Sequence, residues 1–378
     1  MLAKDIKKVD LPIPYRAICI SDIHGNLTAL KRLLSKVDYQ KGKDYLFILG
    51  DLLERGREEE LPTIDYLHEI SKNDRVHIIS GNNDRRMRFI QSEDCKRSLG
   101  WIKNRPGNIL AQWSKTIGVN DTDITEKNYK KVIGTIKQKY QDKIDFVINL
   151  PVVIETDEFI CVHSALDSRE DWWETSEWDA WFGDITLPNK TGKWIISGHG
   201  PTRLFPESKV TFLPIIRHAN KTVSIDGGSG CFFDAQLNAF IIEKAEENKN
   251  IVFSYEFADI FPQGIITENI KSDYINEVYL YFQGTKNIEI IKKGEYFTEC
   301  KVIGTGAKGL IKNEYIEGQG NTFEYWDTMA NFVSVYENEI VSVIDDTKEG
   351  YAYIRNSKAE LGWIPKESVK ISRKRVYK

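Results

Sequence analysis

Cysteine is sparse in this chain and shows no sign of pairing. Cys19, Cys95, Cys161, Cys231 and Cys300 are an odd number among 378 residues, with no Cys-x-x-Cys spacing. That fits reduced thiols in a cytosolic setting better than a disulfide framework. Cys19 and Cys161 fall inside apolar strand patterns and read as small core residues. No stretch approaches the roughly 20 apolar residues that span a bilayer. Residues 1–8 lack the apolar core of a signal peptide, so the expectation is a bacterial-type cytoplasmic protein with no membrane partner. Basic excess is absent too: 52 Lys and Arg against 56 Asp and Glu leave a net charge of -4. Nothing there argues for dedicated nucleic-acid binding. What remains, 41% apolar and 29% charged residues, is the composition of a globular protein of two to three domains.

Residues 15–20, 45–49 and 76–79 are short apolar runs that read as strands. Between them, Leu27, Leu30, Leu33 and Leu34 lie on one helical face, and Leu61, Ile64, Leu67 and Ile70 on another. Strand, helix, strand, helix, strand implies a parallel sheet with right-handed crossovers. Residues 92–145 suggest a helical insertion, with a helix near 127–140. Strands are expected again at 146–154, 158–162, 194–197, 222–225 and 238–243. The Trp-rich stretch 167–190 reads as a loop flanking the site. After about residue 247 the chain turns β-branched and aromatic with Gly punctuation. Gly309–Ile316 matches Gly362–Val369 at a spacing of 53 residues, which suggests two small β-barrels. The predicted domains are 1–246, 247–320 and 321–378. The basic tail from Lys370 to Lys378 is expected to be disordered.

Five polar motifs follow apolar runs in order: Ser21-Asp22-Ile23-His24-Gly25, Gly50-Asp51-Leu52-Leu53-Glu54-Arg55-Gly56, Gly81-Asn82-Asn83-Asp84, Val162-His163-Ser164 and Gly198-His199-Gly200. In parallel sheets, ligands gather at the carboxyl ends of the strands. Together the motifs supply two Asp, one Asn and three His, a mixed donor set that suits Mn, Fe or Zn. Asp22, His24 and Asp51 would hold one ion. Asp51, as a bridge, would hold a second with Asn82, His163 and His199. Two such ions can clamp a phosphoryl group and activate water. His68, His77 and His218 read as structural or solvated, with His218 the one nearest to a rim position. Arg85, Arg86 and Arg88 form either an anion-attracting cluster or a solvated first helical turn. The acid run Glu58-Glu59-Glu60 reads as a helix N-terminus favoured by the macrodipole.

These motifs resemble those of the calcineurin-like metallophosphoesterase superfamily, in particular the bacterial members of its phosphoprotein phosphatase branch. The likeness covers roughly residues 14–245, with Ile225-Asp226-Gly227-Gly228 similar to a closing motif. It implies an α/β (α+β) fold, a four-layer β-sandwich flanked by helices, two divalent metals such as Mn, and hydrolysis by a metal-bound hydroxide. It also implies that Arg55 binds substrate phosphate. Tyr351–Arg355 followed by Leu361–Pro365 resembles a bacterial SH3-like domain, hence an expected C-terminal all-β SH3-like region with a possible peptide or protein partner.

Two positions depart from the branch. Asn83 stands where it has a His thought to protonate the leaving alkoxide, and Glu54 stands where an acid orients that His. General acid catalysis is worth roughly 10² to 10⁴ in rate, and its loss hurts poor leaving groups most. No equivalent of a later phosphate-binding Arg is evident, Arg169 and Arg203 being the nearest candidates. The leading expectation is a binuclear phosphatase acting on phosphomonoesters, serine/threonine phosphatase-like, with a phosphorylated protein or small molecule as substrate. Asp51, Asn82, Glu54, Arg55 and Asn83 would be catalytic, the last two touching phosphate. The alternatives are a phosphodiester or dinucleoside-polyphosphate hydrolase, or a weakly catalytic metal-containing phospholigand sensor.

Overall fold

The computed structural model describes residues 6–55, 59–208, 211–272, 286–304, 306–319, 322–325 and 331–371. Two compact units emerge: Met1–Ser208 with Phe212–Asp259, and Ile260–Lys378 with Lys209–Thr211. In the first unit the described elements run β1 (Ile6–Lys8), β2 (Tyr15–Ile20), α1 (Leu27–Lys36), β3 (Tyr45–Leu49), α2 (Glu60–Ile70), β4 (Val76–Ile79), α3 (Met87–Gln91), α4 (Cys95–Asn104), α5 (Ile109–Thr116), α6 (Tyr129–Ile148), β5 (Val153–Glu155), β6 (Phe159–Val162), α7 (Glu177–Phe182), β7 (Trp194–Ser197), β8 (Ile215–Arg217), β9 (Thr222–Ser224), β10 (Leu237–Lys244) and β11 (Val252–Ala258).

Two sheets form, ordered β11-β10-β2-β3-β4 and β1-β5-β6-β7-β9-β8. Strands β2, β3 and β4 run parallel, and so do β6, β7 and β9. Side chains alternate across a strand. Ala17 and Cys19 of β2 therefore join Phe47, Cys161, Ile196 and Phe240 between the sheets. Ile18 and Ile20 face the other way, onto Leu30, Leu33, Ile64, Leu67 and Trp113 of the helices. Burial on both faces is why these strands are apolar throughout. The outer face of the second sheet packs Val153, Ile160 and Ile195 against Trp172, Ala180 and Trp181. Helices, sheet, sheet and the α7 segment make the expected layered sandwich.

Three local expectations fail. Residues 146–148 belong to α6, not to a strand, because Ile144 and Val147 continue the buried stripe of Val132, Ile133 and Ile136. The strand after it shrinks to Val153–Glu155. The Trp-rich stretch is not all loop: Ser176 caps α7 by accepting from Asp179 N at 3.0 Å. The first unit also runs on to Asp259, since β11 pairs with β10 over Val252–Ala258, beyond the change of texture at 247.

The second unit holds β12 (Gln263–Ile266), β13 (Lys286–Lys293), β14 (Phe297–Val302), β15 (Lys308–Lys312), β16 (Ile316–Gln319), β17 (Thr322–Tyr325), β18 (Ile340–Asp345), β19 (Tyr351–Arg355), β20 (Leu361–Pro365) and β21 (Val369–Ile371). They build two sheets, β15-β14-β13-β17-β16 and β20-β19-β18-β12-β21. The repeat occupies equivalent places: each copy is a strand, a 3-10 turn and the next strand. One sheet thus interrupts the other, because β12 pairs with β18 and β21 from the far side of residues 286–325. Lys370 and Ile371 lie in β21; residues 372–378 of the tail, like Gly56 and Glu58, lie outside the described residues. Among the described residues no helix is long and apolar enough to cross a membrane.

Candidate metal centre

Five loops bring the expected residues together. Asp22 and His24 follow β2, Asp51 follows β3, Asn82 follows β4, His163 follows β6 and His199 follows β7. Asp22 N donates to Gly50 O at 3.1 Å, His24 N to Asp51 O at 3.0 Å and Gly198 N to His163 O at 2.9 Å. Asp22, His24, Asp51 and His199 all adopt positive φ, at 54°, 48°, 51° and 64°. Left-handed backbone costs a non-glycine residue energy, and it concentrates where a site over-determines it. Gly198 is needed for another reason: a Cβ there would overlap Ser21 Oγ and the Asp22 carboxylate.

Asp51 lies between two groups. On one side its Oδ2 is 3.6 Å from His24 Nε2, which is 3.7 Å from Asp22 Oδ1. On the other, its Oδ1 is 3.6 Å from His163 Nε2. Asn82 Oδ1 sits 2.9 Å from both His163 Nε2 and His199 Nδ1. Ligand atoms of Asp22, Asp51 and His163 all lie within 4.8 Å of one another. The rings are aimed: His24 Nδ1 is 2.9 Å from Leu53 O and His163 Nδ1 is 2.8 Å from Leu49 O. A proton held on Nδ1 by a carbonyl leaves Nε2 with its lone pair facing the cluster.

The electrostatics suit a cation. Asp22 and Asp51 are both 2% exposed. Among the described residues neither has a Lys or Arg partner at ion-pair distance. Burial and the Asp51 charge push Asp22 well above the usual carboxylate range. Burial opposes ionisation of Asp51 as well, but His163, His24 and the Asn83 donors bring it down to about 2. Burial lowers His24 and His199 to about 4, which keeps both imidazoles in the neutral, ligating form. Buried charge without compensation is costly, and this donor set of carboxylate, amide and neutral imidazole fits divalent transition metals.

The residues beside the cluster tell a second story. Asn83 N donates to Asp51 Oδ1 at 2.8 Å, and its Nδ2 donates to Asp51 Oδ2. Its Oδ1 accepts from Arg86. Arg86 is 3.7 Å from Glu54 Oε2, which also accepts from Trp101 Nε1 at 2.5 Å. Glu54 has therefore not lost its partners; an Arg and a Trp serve it where the resemblance implies a His. Burial and the neighbouring Glu60 raise its pKa well above the ordinary value. Arg55 donates to Cys231 Sγ at 3.0 Å, and its buried Nε has no partner among the described residues. Neither later Arg reaches this cluster: Arg169 pairs with Asp167 at 2.7 Å on the surface, and Arg203 pairs with Asp234 at 2.7 Å between Phe212 and Phe232.

Other histidines stay apart. His68 is 3.8 Å from Asp142, His77 is buried against Tyr45 and Phe47, and His218 lies edge-on to Trp194. The acid run is not a simple helix-end feature. Glu59 accepts from Thr28 N at 3.0 Å, and Glu60 Oε1 from Glu54 N and Arg55 N at 3.1 and 3.0 Å. Sequence reasoning gave no role to Asp84, which accepts from Leu52 N at 3.0 Å and Gly81 N at 2.8 Å and so ties two site loops together. Burial and the Asp51 charge raise it to about 7. It also gave none to Trp101, whose only sequence signal was its place in a helical stretch.

The profile of the calcineurin-like phosphoesterase family matches residues 15–226, more than half of the chain. A symmetrical bis(5'-nucleosyl)-tetraphosphatase of Buchnera aphidicola subsp. Acyrthosiphon pisum (strain Tuc7) is 28% identical over 160 residues, 34% of this chain and 57% of that protein. The chain thus spans less than two thirds of that relative. One of the same description from Buchnera aphidicola subsp. Schizaphis graminum is 46% identical over 65 residues, 17% of this chain and 23% of the relative. Among solved structures, a protein serine/threonine phosphatase from Saccharomyces cerevisiae aligns at a TM-score of 0.42 and 11% identity, over 68% of this chain and 84% of that one.

Proposed function

The chain belongs to the calcineurin-like phosphoesterase family of metal-dependent hydrolases, and from that premise we propose that it hydrolyses phosphoric anhydrides and activated esters, dinucleoside polyphosphates among them. Asp22, His24 and Asp51 would hold one divalent ion, and Asp51, Asn82, His163 and His199 would hold another. Such ions supply a Lewis acid for the phosphoryl oxygens and activate the attacking water. Arg55 presents a planar fork to the phosphate. Asn83, held between Asp51 and Arg86, orients the shared carboxylate.

The observation that carries the substrate choice is Asn83 itself. A carboxamide has no proton to give a leaving group. A seryl alkoxide needs one; a phosphate or an aryloxide leaves without it. Phosphomonoesters of serine or threonine are therefore the poorer substrates, and the relatives named tetraphosphatases point the same way. The test is a kinetic panel on Mn-loaded protein: diadenosine tetraphosphate, an aryl phosphate and a phosphoserine peptide. The expected order of kcat/KM runs anhydride, aryl ester, peptide. A phosphopeptide turned over as well as the anhydride would sink this reading. For the second unit the reading is a pair of SH3-like barrels, one inserted in the other, and the interrupted strand pairing of β12 supports it.

A further inference from the structure

A cavity of about 480 Å³ opens in the helical insertion, lined by Arg86, Phe89, Arg97, Trp101, Asn104 and Arg105. Arg86 belongs to both the cavity and the centre, since it donates to the Asn83 carboxamide that contacts Asp51. Three guanidiniums line it. Arg97 is 3.6 Å from Asp94 and lies 5.6 Å over the Phe89 ring. Arg86 has Glu54 at 3.7 Å. Arg105 has no carboxylate at ion-pair distance among the described residues. Burial and the like charges of Arg55 and Arg86 lower its pKa below the usual arginine value. Phe89 and Trp101 meet edge to face at 6.4 Å and supply the apolar part of the lining.

Three guanidiniums face two carboxylates and Arg105 faces none, so the lining keeps an excess of positive charge that an anion would offset. Planar guanidiniums match phosphate oxygens two at a time. We propose that this cavity is the leaving-group subsite, and that Arg86 and Arg105 hold the second phosphoryl group of a phosphoanhydride while the first is attacked at the centre. The inference rests on the hydrolase reading above and adds the class of leaving group to it. During the reaction the water oxygen bonds to phosphorus as the bond to the bridging oxygen breaks. That oxygen departs with the electron pair as part of an unprotonated phosphate, and the protons of the water pass to solvent. The arginines offset the charge that accumulates on the departing phosphate. A chain that lacks a proton donor at residue 83 has in its place a cationic cradle, which serves a leaving group that needs no proton.

The test uses Arg105→Gln in the full chain, with Arg97→Gln on the exposed face of α4 as a second variant. The first readout is calorimetric binding of inorganic tripolyphosphate to protein stripped of metal. Arg105→Gln is expected to weaken it at least about tenfold, and Arg97→Gln about threefold. The second readout is the ratio of kcat/KM for diadenosine tetraphosphate to that for an aryl phosphate on Mn-loaded protein. That ratio is expected to fall at least about tenfold in Arg105→Gln. Tripolyphosphate affinity within twofold of the parent, or no binding by the parent at all, overturns the subsite whatever the rates do. Lost affinity in a protein that hydrolyses neither substrate keeps the subsite and removes the hydrolase reading instead.

Discussion

The strand-end loops that gather Asp22, Asp51, Asn82, His163 and His199 hold their polar groups by backbone; the helical insertion that carries Arg86, Trp101 and Arg105 holds them by side chain. In the loops, main-chain bonds run from one motif to the next, Asp22 N to Gly50 O and Gly198 N to His163 O. In the insertion the bonds are Trp101 to Glu54 and Arg86 to Asn83. Backbone placement fixes an atom whatever the neighbouring side chains are, which suits a donor set that must not move. Side-chain placement can be changed one residue at a time, which suits the choice of substrate. The carboxylates of the centre have no Lys or Arg at ion-pair distance among the described residues, whereas the cavity keeps an excess of guanidiniums, which suits the first to a cation and the second to the anion proposed for it.

The largest break is Asp51→Asn. The carboxylate shared by both groups would lose its charge while nearly keeping its shape. Removing several kcal/mol of charge stabilisation corresponds to a loss of ~10³-fold or more in kcat. Metal content by elemental analysis should fall with it. Full metal loading with unimpaired turnover would show that Asp51 is not the shared ligand.

Asn83→His comes next and moves the molecule across the comparison, from cationic cradle to proton donor. The variant should raise phosphoserine-peptide turnover relative to aryl-phosphate turnover by about tenfold, a fraction of what a well-placed general acid supplies. Glu54 is linked to residue 83 through Arg86, which contacts both. A ratio unmoved by the substitution would mean that the carboxamide does not limit the leaving group.

How much of this could be read beforehand divides along the same line. The gathering of Asp22, His24, Asp51, Asn82, His163 and His199 was legible because each follows an apolar run, and parallel strands deliver such ends to one edge. The β2 and β3 runs were legible because both faces are buried. The residues around 146–148 misled because a short apolar run fits helix or strand alike; the stripe that decides it, Val132, Ile133, Ile136, Ile144 and Val147, is spread over a long helix. The cap of α7 at Ser176 was readable in principle, but the tryptophans drew attention to the wrong property. Trp101 with Glu54, and Arg105 beside Arg55 and Arg86, were not readable. They are contacts between distant segments, and no spacing rule links them. The pairing of β12 with β18 and β21 was hidden for the same reason, since the inserted sheet separates the partners in sequence.

Trp101→Phe isolates the side-chain half of the comparison at smaller cost. It keeps most of the ring volume and removes the donor to Glu54 Oε2, 2.5 Å away. A buried carboxyl left short of a partner costs ~1–3 kcal/mol, read as a lower denaturant midpoint with an unchanged slope. Because Arg86 contacts both Glu54 and Asn83, activity should fall alongside stability. A midpoint equal to that of the parent would mean that Glu54 is satisfied by Arg86 alone.

The smallest effect lies away from both regions and serves as their control. His77, in the middle of β4, is 5% exposed. Burial, then the nearby Lys7 charge against a weaker pull from Asp74, lowers its pKa from 6.5 to about 4. Lys7 Nζ lies 3.2 Å from its Nδ1, and Tyr45 and Phe47 cover the ring. The folded state therefore keeps His77 neutral over a range in which the unfolded chain takes up a proton. Stability from this residue is fully present above pH 6.5 and declines as pH falls from there toward about 4. The decline should be about 2 kcal/mol at most by pH 5. Denaturant titrations of the parent and His77→Phe at pH 7.5 and 5 measure it as a difference of differences. The variant should lose less stability than the parent between those two pH values, and an identical loss in both would place the acid sensitivity in the carboxylates and imidazoles of the centre.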